Sequence, residues 1–157
     1  MIPAMFKTLK DLFDGLLAPT AAPADEEHTL QLATAVLLVE VLRADTHFKP
    51  EETAAVVGAL RDKFGLADDE AARLVDLALA TARDAPDLYS FTSRLNERFE
   101  MPQKIRMVEH LWRVALADGH LADHERHLLW RVGDLLHVPQ GALHLARQRV
   151  RDEPGAS

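Results

Sequence analysis

The chain has 157 residues, 48% hydrophobic and 27% charged, with a net charge of −7 and no cysteine. At this length roughly 70% of the unfolded surface can be buried, so a single domain needs neither disulfide nor metal to make a core. Lack of cysteine excludes disulfides, thiolate nucleophiles, Cys zinc sites and iron–sulfur ligation, and 18 Asp/Glu against 10 Lys/Arg in residues 1–100 argue against nucleic acid as a partner.

Ile2, Met5, Phe6, Leu9, Leu12, Phe13, Leu16 and Leu17 recur at helical spacing and predict a short amphipathic helix. Lys7, Lys10, Asp11 and Asp14 break any signal-peptide core, and no stretch approaches the roughly 20 apolar residues that span a bilayer. A cytoplasmic protein is expected. The balanced polar face favours docking on the same domain or on a protein partner, with peripheral membrane contact through residues 1–17 as the alternative. Ala18 to Asp25, with two Pro and four Ala, reads as a linker. The predicted organisation is therefore residues 1–25 as helix and linker, and residues 26–157 as one helical domain.

Breakers divide the rest into seven helical segments. Glu26 to Ala44 has a broad apolar face and should be deeply buried. Pro50 suits the first turn of a helix running from Glu51 to Lys63, and Gly65 suits its stop. Further helices are expected from Asp68 to about Arg83, Pro86 to Phe99, Pro102 to Ala117, Leu121 to Leu136 and Pro139 to Arg151. No segment shows sustained period-2 alternation, so the predicted class is all-α.

Two of these segments repeat. Ala117-Asp118-Gly119-His120-Leu121-Ala122-Asp123-His124-Glu125 echoes Ala44-Asp45-Thr46-His47-Phe48-Lys49-Pro50-Glu51-Glu52, 73 residues earlier. The same offset aligns Leu38 with Leu111, Val41 with Val114 and Val56 with Leu129. After one deletion, Phe64-Gly65-Leu66 meets Leu136-His137-Val138. A helix-turn-helix thus occurs twice, and two copies facing each other would bury what one leaves exposed. Packing about a pseudo-two-fold axis would bring both turns to one end of the bundle.

Asp45 and Asp118 each end a helix, where the macrodipole disfavours a carboxylate by about 0.3–1 kcal/mol. Two compensations are open. Each Asp can accept backbone N–H groups of the turn while Glu52 and Glu125 favour the next helix start, or Asp45, Glu52, Asp118 and Glu125 can bind a hard divalent cation. The spacing does not fit a self-contained EF-hand. His120, Asp123, His124 and His127 add a secondary set suited to Zn²⁺ or Ni²⁺, though solvated histidines are the simpler reading. Gly119 can take positive φ after its helix whereas Thr46 cannot do so without strain, so the second turn should dominate any cation affinity. Trp112 and Trp130 fall in apolar stripes and are expected in the core. Ser90, Thr92 and Ser93 have no assignable His-Asp partner, so no catalytic set is predicted.

Asp118-Gly119-His120-Leu121 with Glu125, Leu111-Trp112-Arg113-Val114, Trp130 to Val138 and Asp87-Leu88-Tyr89-Ser90-Phe91-Thr92 resemble the TerB-like tellurite-resistance family over residues 28–151. The resemblance implies a compact all-helical domain, shared with the N-terminal region of DjlA-type co-chaperones. It also implies metal ligation by the acidic turns, which map to Asp118 with Glu125 and Asp45 with Glu52. Thr46 in place of the usual Gly, and Pro50 within the turn, depart from the pattern in the first copy. The leading expectation is a non-enzymatic module binding a divalent cation or a protein partner in tellurite, metal or envelope stress. The alternative is an adaptor with purely structural turns, recruited by its N-terminal helix. A metal-dependent hydrolase comes third and would require a deep pocket.

Overall fold

Residues 23–45, 48–79 and 88–154 are described by a computed structural model. Among them lie eight helices and no strand: α1 (Pro23–Ala44), α2 (Pro50–Phe64), α3 (Asp68–Leu79), α4 (Leu88–Arg98), α5 (Met101–Ala117), α6 (Gly119–Asp123), α7 (Glu125–Leu136) and α8 (Gln140–Arg151). The all-α expectation holds. The predicted N-terminal helix, most of the linker, Thr46 and His47 fall outside the described residues. The expected helix from Leu121 to Leu136 is instead two, a one-turn α6 and then α7, separated at His124.

Every residue from Leu32 to Leu42 is buried, so α1 is enclosed on all sides rather than on one stripe. Two polar residues inside that run are satisfied locally. Thr34 Oγ1 donates to the Leu30 carbonyl at 2.7 Å, and Arg43 donates to Glu40 Oε1 at 3.0 Å. Burial nevertheless pushes the Glu40 carboxyl above its usual range, with Arg43 opposing it.

The duplication is visible in the packing. α1 packs on α2 as α5 packs on α7, α2 on α3 as α7 on α8, and α1 on α3 as α5 on α8. Across the centre α1 packs directly on α5, while α2 reaches α5 and α7 reaches α1. The helix ends agree as well. α2 and α7 both stop at a left-handed residue, Gly65 (φ 63°, ψ 40°) and His137 (φ 57°, ψ 37°). The following N–H then closes back five residues, Leu66 to the Arg61 carbonyl at 3.1 Å and Val138 to the Gly133 carbonyl at 2.9 Å. Helix starts are fixed by side chains at the third helical position. Glu52, Glu70 and Gln103 accept the backbone N–H of Lys49, Ala67 and Glu100 at 2.8, 2.9 and 2.8 Å.

One core assignment is corrected. Trp112 is fully buried, but Trp130 is 61% exposed. The reason is helical phase: the inward residues of α7 are Leu128, Val132, Leu135 and Leu136, and at about 100° per residue Trp130 points away from Leu128 and Val132. The two tryptophans should therefore respond differently to truncation. Trp112→Ala is expected to cost about 3–5 kcal/mol, whereas Trp130→Ala should stay within about 0.5 kcal/mol, as read by urea unfolding followed by circular dichroism.

Candidate functional site

The two repeated turns meet. Asp45, at the end of α1, places its Oδ2 2.9 Å from Nε2 of His127 of α7, its side chain 7% exposed against 54% for the histidine. Beside this pair the Phe48 ring lies 4.8 Å from the His124 ring, tilted by 59°. One member of each contact comes from each copy, so the turns share one end of the bundle, as a pseudo-two-fold arrangement requires.

Asp118 solves its helix-end problem locally. It closes α5 by donating its N–H to the Val114 carbonyl at 3.0 Å, and its Oδ1 accepts the Leu121 N–H at 3.3 Å. That is the N-cap contact to the third residue of α6. One side chain thus ends one helix and begins the next. Gly119 has no positive φ, since Gly65 is the only glycine that does among the described residues, and α6 simply starts there. The expected advantage of Gly119 over Thr46 in a left-handed turn is therefore not the basis of this geometry.

The paired glutamates are also engaged. Glu52 holds the Lys49 N–H, and Glu125 forms an ion pair with Arg147 of α8. Asp123 is exposed at the end of α6, His124 precedes α7, and the side chain of His120 lies outside the described part. Among the described residues no three His, Asp or Glu side chains group in a way that could hold a metal ion. The structure thus joins Asp45 to His127, keeps Asp118 on its own turn, and turns Glu52 and Glu125 toward separate protein groups.

Two other polar features were not anticipated from sequence. The first ties both copies to the chain end. Arg113 makes a two-pronged contact with Glu153, at 3.0 and 2.5 Å, and donates to His110 Nδ1 at 3.0 Å. His110 therefore carries its proton on Nε2 and donates it to Glu27 of α1 at 2.6 Å. The ring is 5% exposed and packs edge-on to Phe64 of α2 at 5.5 Å. Burial lowers the His110 pKa most, Glu27 opposes this, and Arg113 adds to it. The Glu153 hydrogen bond raises the Arg113 pKa, and the same contact lowers that of Glu153.

The second feature is a groove of about 530 Å³ between α7 and α8. Arg126, Trp130 and Asp134 line it from α7, and Gln140 and His144 from α8. Its floor is apolar, with Val138 and Leu143 buried and Gly133 close enough to Leu143 that a Cβ there would come within 2.3 Å of Cδ1.

With this geometry in hand, a family model described as tellurite resistance protein TerB matches residues 31–148. The chain belongs to the TerB family. No curated protein and no solved structure matches it. The matched TerB span runs from α1 into α8 and so takes in both turns, the Asp45–His127 pair and the α7–α8 groove. No helix among the described residues of this TerB domain is long and apolar enough to cross a membrane.

The His110 cluster gives a pH prediction. With its folded pKa below the unfolded value near 6.5, the unfolded chain binds more protons as pH falls through that value. Stability should therefore drop between pH 7.5 and 5.5. Glu27, Arg106, Glu109, Arg113 and Glu153 are the charged groups around the ring. In His110→Gln, whose amide can keep both hydrogen bonds without titrating, urea midpoints at the two pH values should differ less than in wild type.

Proposed function

We propose that this TerB-family protein is a non-enzymatic helical adaptor that docks a protein partner, its acidic turns acting as a clasp between the two copies. The observation that carries the reading is the exposed indole of Trp130. Tryptophan is enriched among the residues that dominate binding interfaces, where a large rigid side chain enters a partner at small entropic loss. Here it stands over a preformed apolar-floored groove. The clasp reading is supported by the engagement of all four turn acids with groups of the protein itself. The family description names tellurite resistance, and we carry that setting into this proposal, adding metal stress, envelope stress and a co-chaperone-like role as our own variants of it. A photo-crosslinking amino acid at Gln140, exposed at the groove with Trp130 left in place, should capture a second protein chain in living cells. The same probe at Ala55, exposed on α2, should not. No product from position 140 would contradict the reading.

A second reading has one observation in its favour. Asp45 and His127 juxtapose a carboxylate and an imidazole from opposite copies, which is a starting pair for Zn²⁺ or Ni²⁺. Under this reading chelator-treated protein melts higher when one of these ions is returned, by about 2.7 kcal/mol of stability at 100 times the dissociation constant. The shift should vanish in Asp45→Asn. Equal melting temperatures with Ca²⁺, Mg²⁺, Mn²⁺, Zn²⁺ and Ni²⁺ added singly leave the clasp reading alone.

A further inference from the structure

Helix α7 carries a second stripe opposite its core face: Arg126, Trp130 and Asp134 recur at intervals of four. Trp130 sits midway, so at 1.5 Å per residue the guanidinium-bearing and carboxylate-bearing positions lie about 6 Å to either side of it along the helix. Both Arg126 and Asp134 are exposed, and neither has an ion-pair partner among the described residues. Four of the six other arginines from α5 onward are engaged: Arg106 with Glu26 and Glu27, Arg113 with Glu153, Arg147 with Glu125 and Arg149 with Glu109.

Opposite charges placed evenly about one aromatic side chain on one helix have a particular symmetry. If a second α7 is laid antiparallel, with the two-fold axis beside Trp130, each Arg126 meets the other chain's Asp134. The two indoles then meet across the axis. Such a patch is complementary to itself, which is the condition for a closed isologous pair. Asp134, one turn from the indole, and the chain's charge of −7 both oppose a nucleic-acid partner.

We propose that the α7–α8 face binds a second copy of this chain, α7 antiparallel to α7, through contact of the two Trp130 indoles across the axis and two reciprocal Arg126–Asp134 pairs. The proposal rests on the docking reading above and names its occupant. Like charges brought together across the axis would disfavour any parallel arrangement.

The test uses the full chain in sedimentation or light-scattering measurements from micromolar to millimolar concentration. Wild type should rise from the mass of one 17.5 kDa chain to that of two, and Trp130→Ala should abolish the rise. Arg126→Asp and Asp134→Arg should each stay monomeric when alone, because each sets like charges against one another at both contacts. Mixed in equal amounts they should pair, since the new acid of one chain then faces the new base of the other while the native acid and base also meet. A wild type that stays monomeric overturns the proposal, as does a dimer indifferent to all three substitutions, or a mixture that associates no better than its components. The two readings fail separately: crosslinking at position 140 to a different protein overturns self-association and leaves the docking face, whereas no crosslink at all removes both.

Discussion

The structure depends on the complete enclosure of α1. A helix with an unbroken buried run from Leu32 to Leu42 cannot be covered by one neighbour, and α2, α3, α4, α5 and α7 all pack on it. Burial of a side chain such as Leu or Val contributes on the order of 1.5–3 kcal/mol, so this one helix recruits the rest of the chain. Its counterpart α5 is less extreme. It buries Met107, Val108, Leu111, Trp112, Val114 and Ala115 but keeps Arg106 and Arg113 at the surface of the polar cluster. The duplicated halves thus share an axis of unequal helices, one enclosed from Leu32 to Leu42 and one half outside.

The same inequality shapes the turns. Asp45 leaves a helix whose surroundings are filled, and its carboxylate reaches across to His127 on the other copy. The residue related to His127 by the 73-residue offset is Ala54. Asp118 therefore has no matching imidazole on that position and is spent on the N-cap of α6. Two acids at equivalent places obey the same constraint, compensation at a helix C-terminus, by different means.

Much of this was legible in sequence because it rests on local rules. Pro50 and Gly65 bracket α2, the Phe64-Gly65-Leu66 and Leu136-His137-Val138 alignment predicted two equivalent helix stops, and both are left-handed. The 73-residue repeat, packed about a pseudo-two-fold axis, predicted that the turns would come together. What could not be read depended on rotation about a helix axis or on long-range pairing. Trp130 belongs to an apolar-rich helix, and only the inward set of Leu128, Val132 and Leu135 shows that it lies on the other side. The link from Glu153 through Arg113 and His110 to Glu27 joins residues up to 126 positions apart, and no local spacing announces it. His124, at φ −115° and ψ 19°, breaks one expected helix into two.

If α1 with α5 forms one shared core, the halves cannot open independently. Native-state hydrogen exchange tests this directly. The slowest amides of α1 and α5 should share a single opening free energy, equal to that of global unfolding. A set of α5 amides that stays protected through an opening that releases α1, α2 and α3 would show two separable halves and contradict the account.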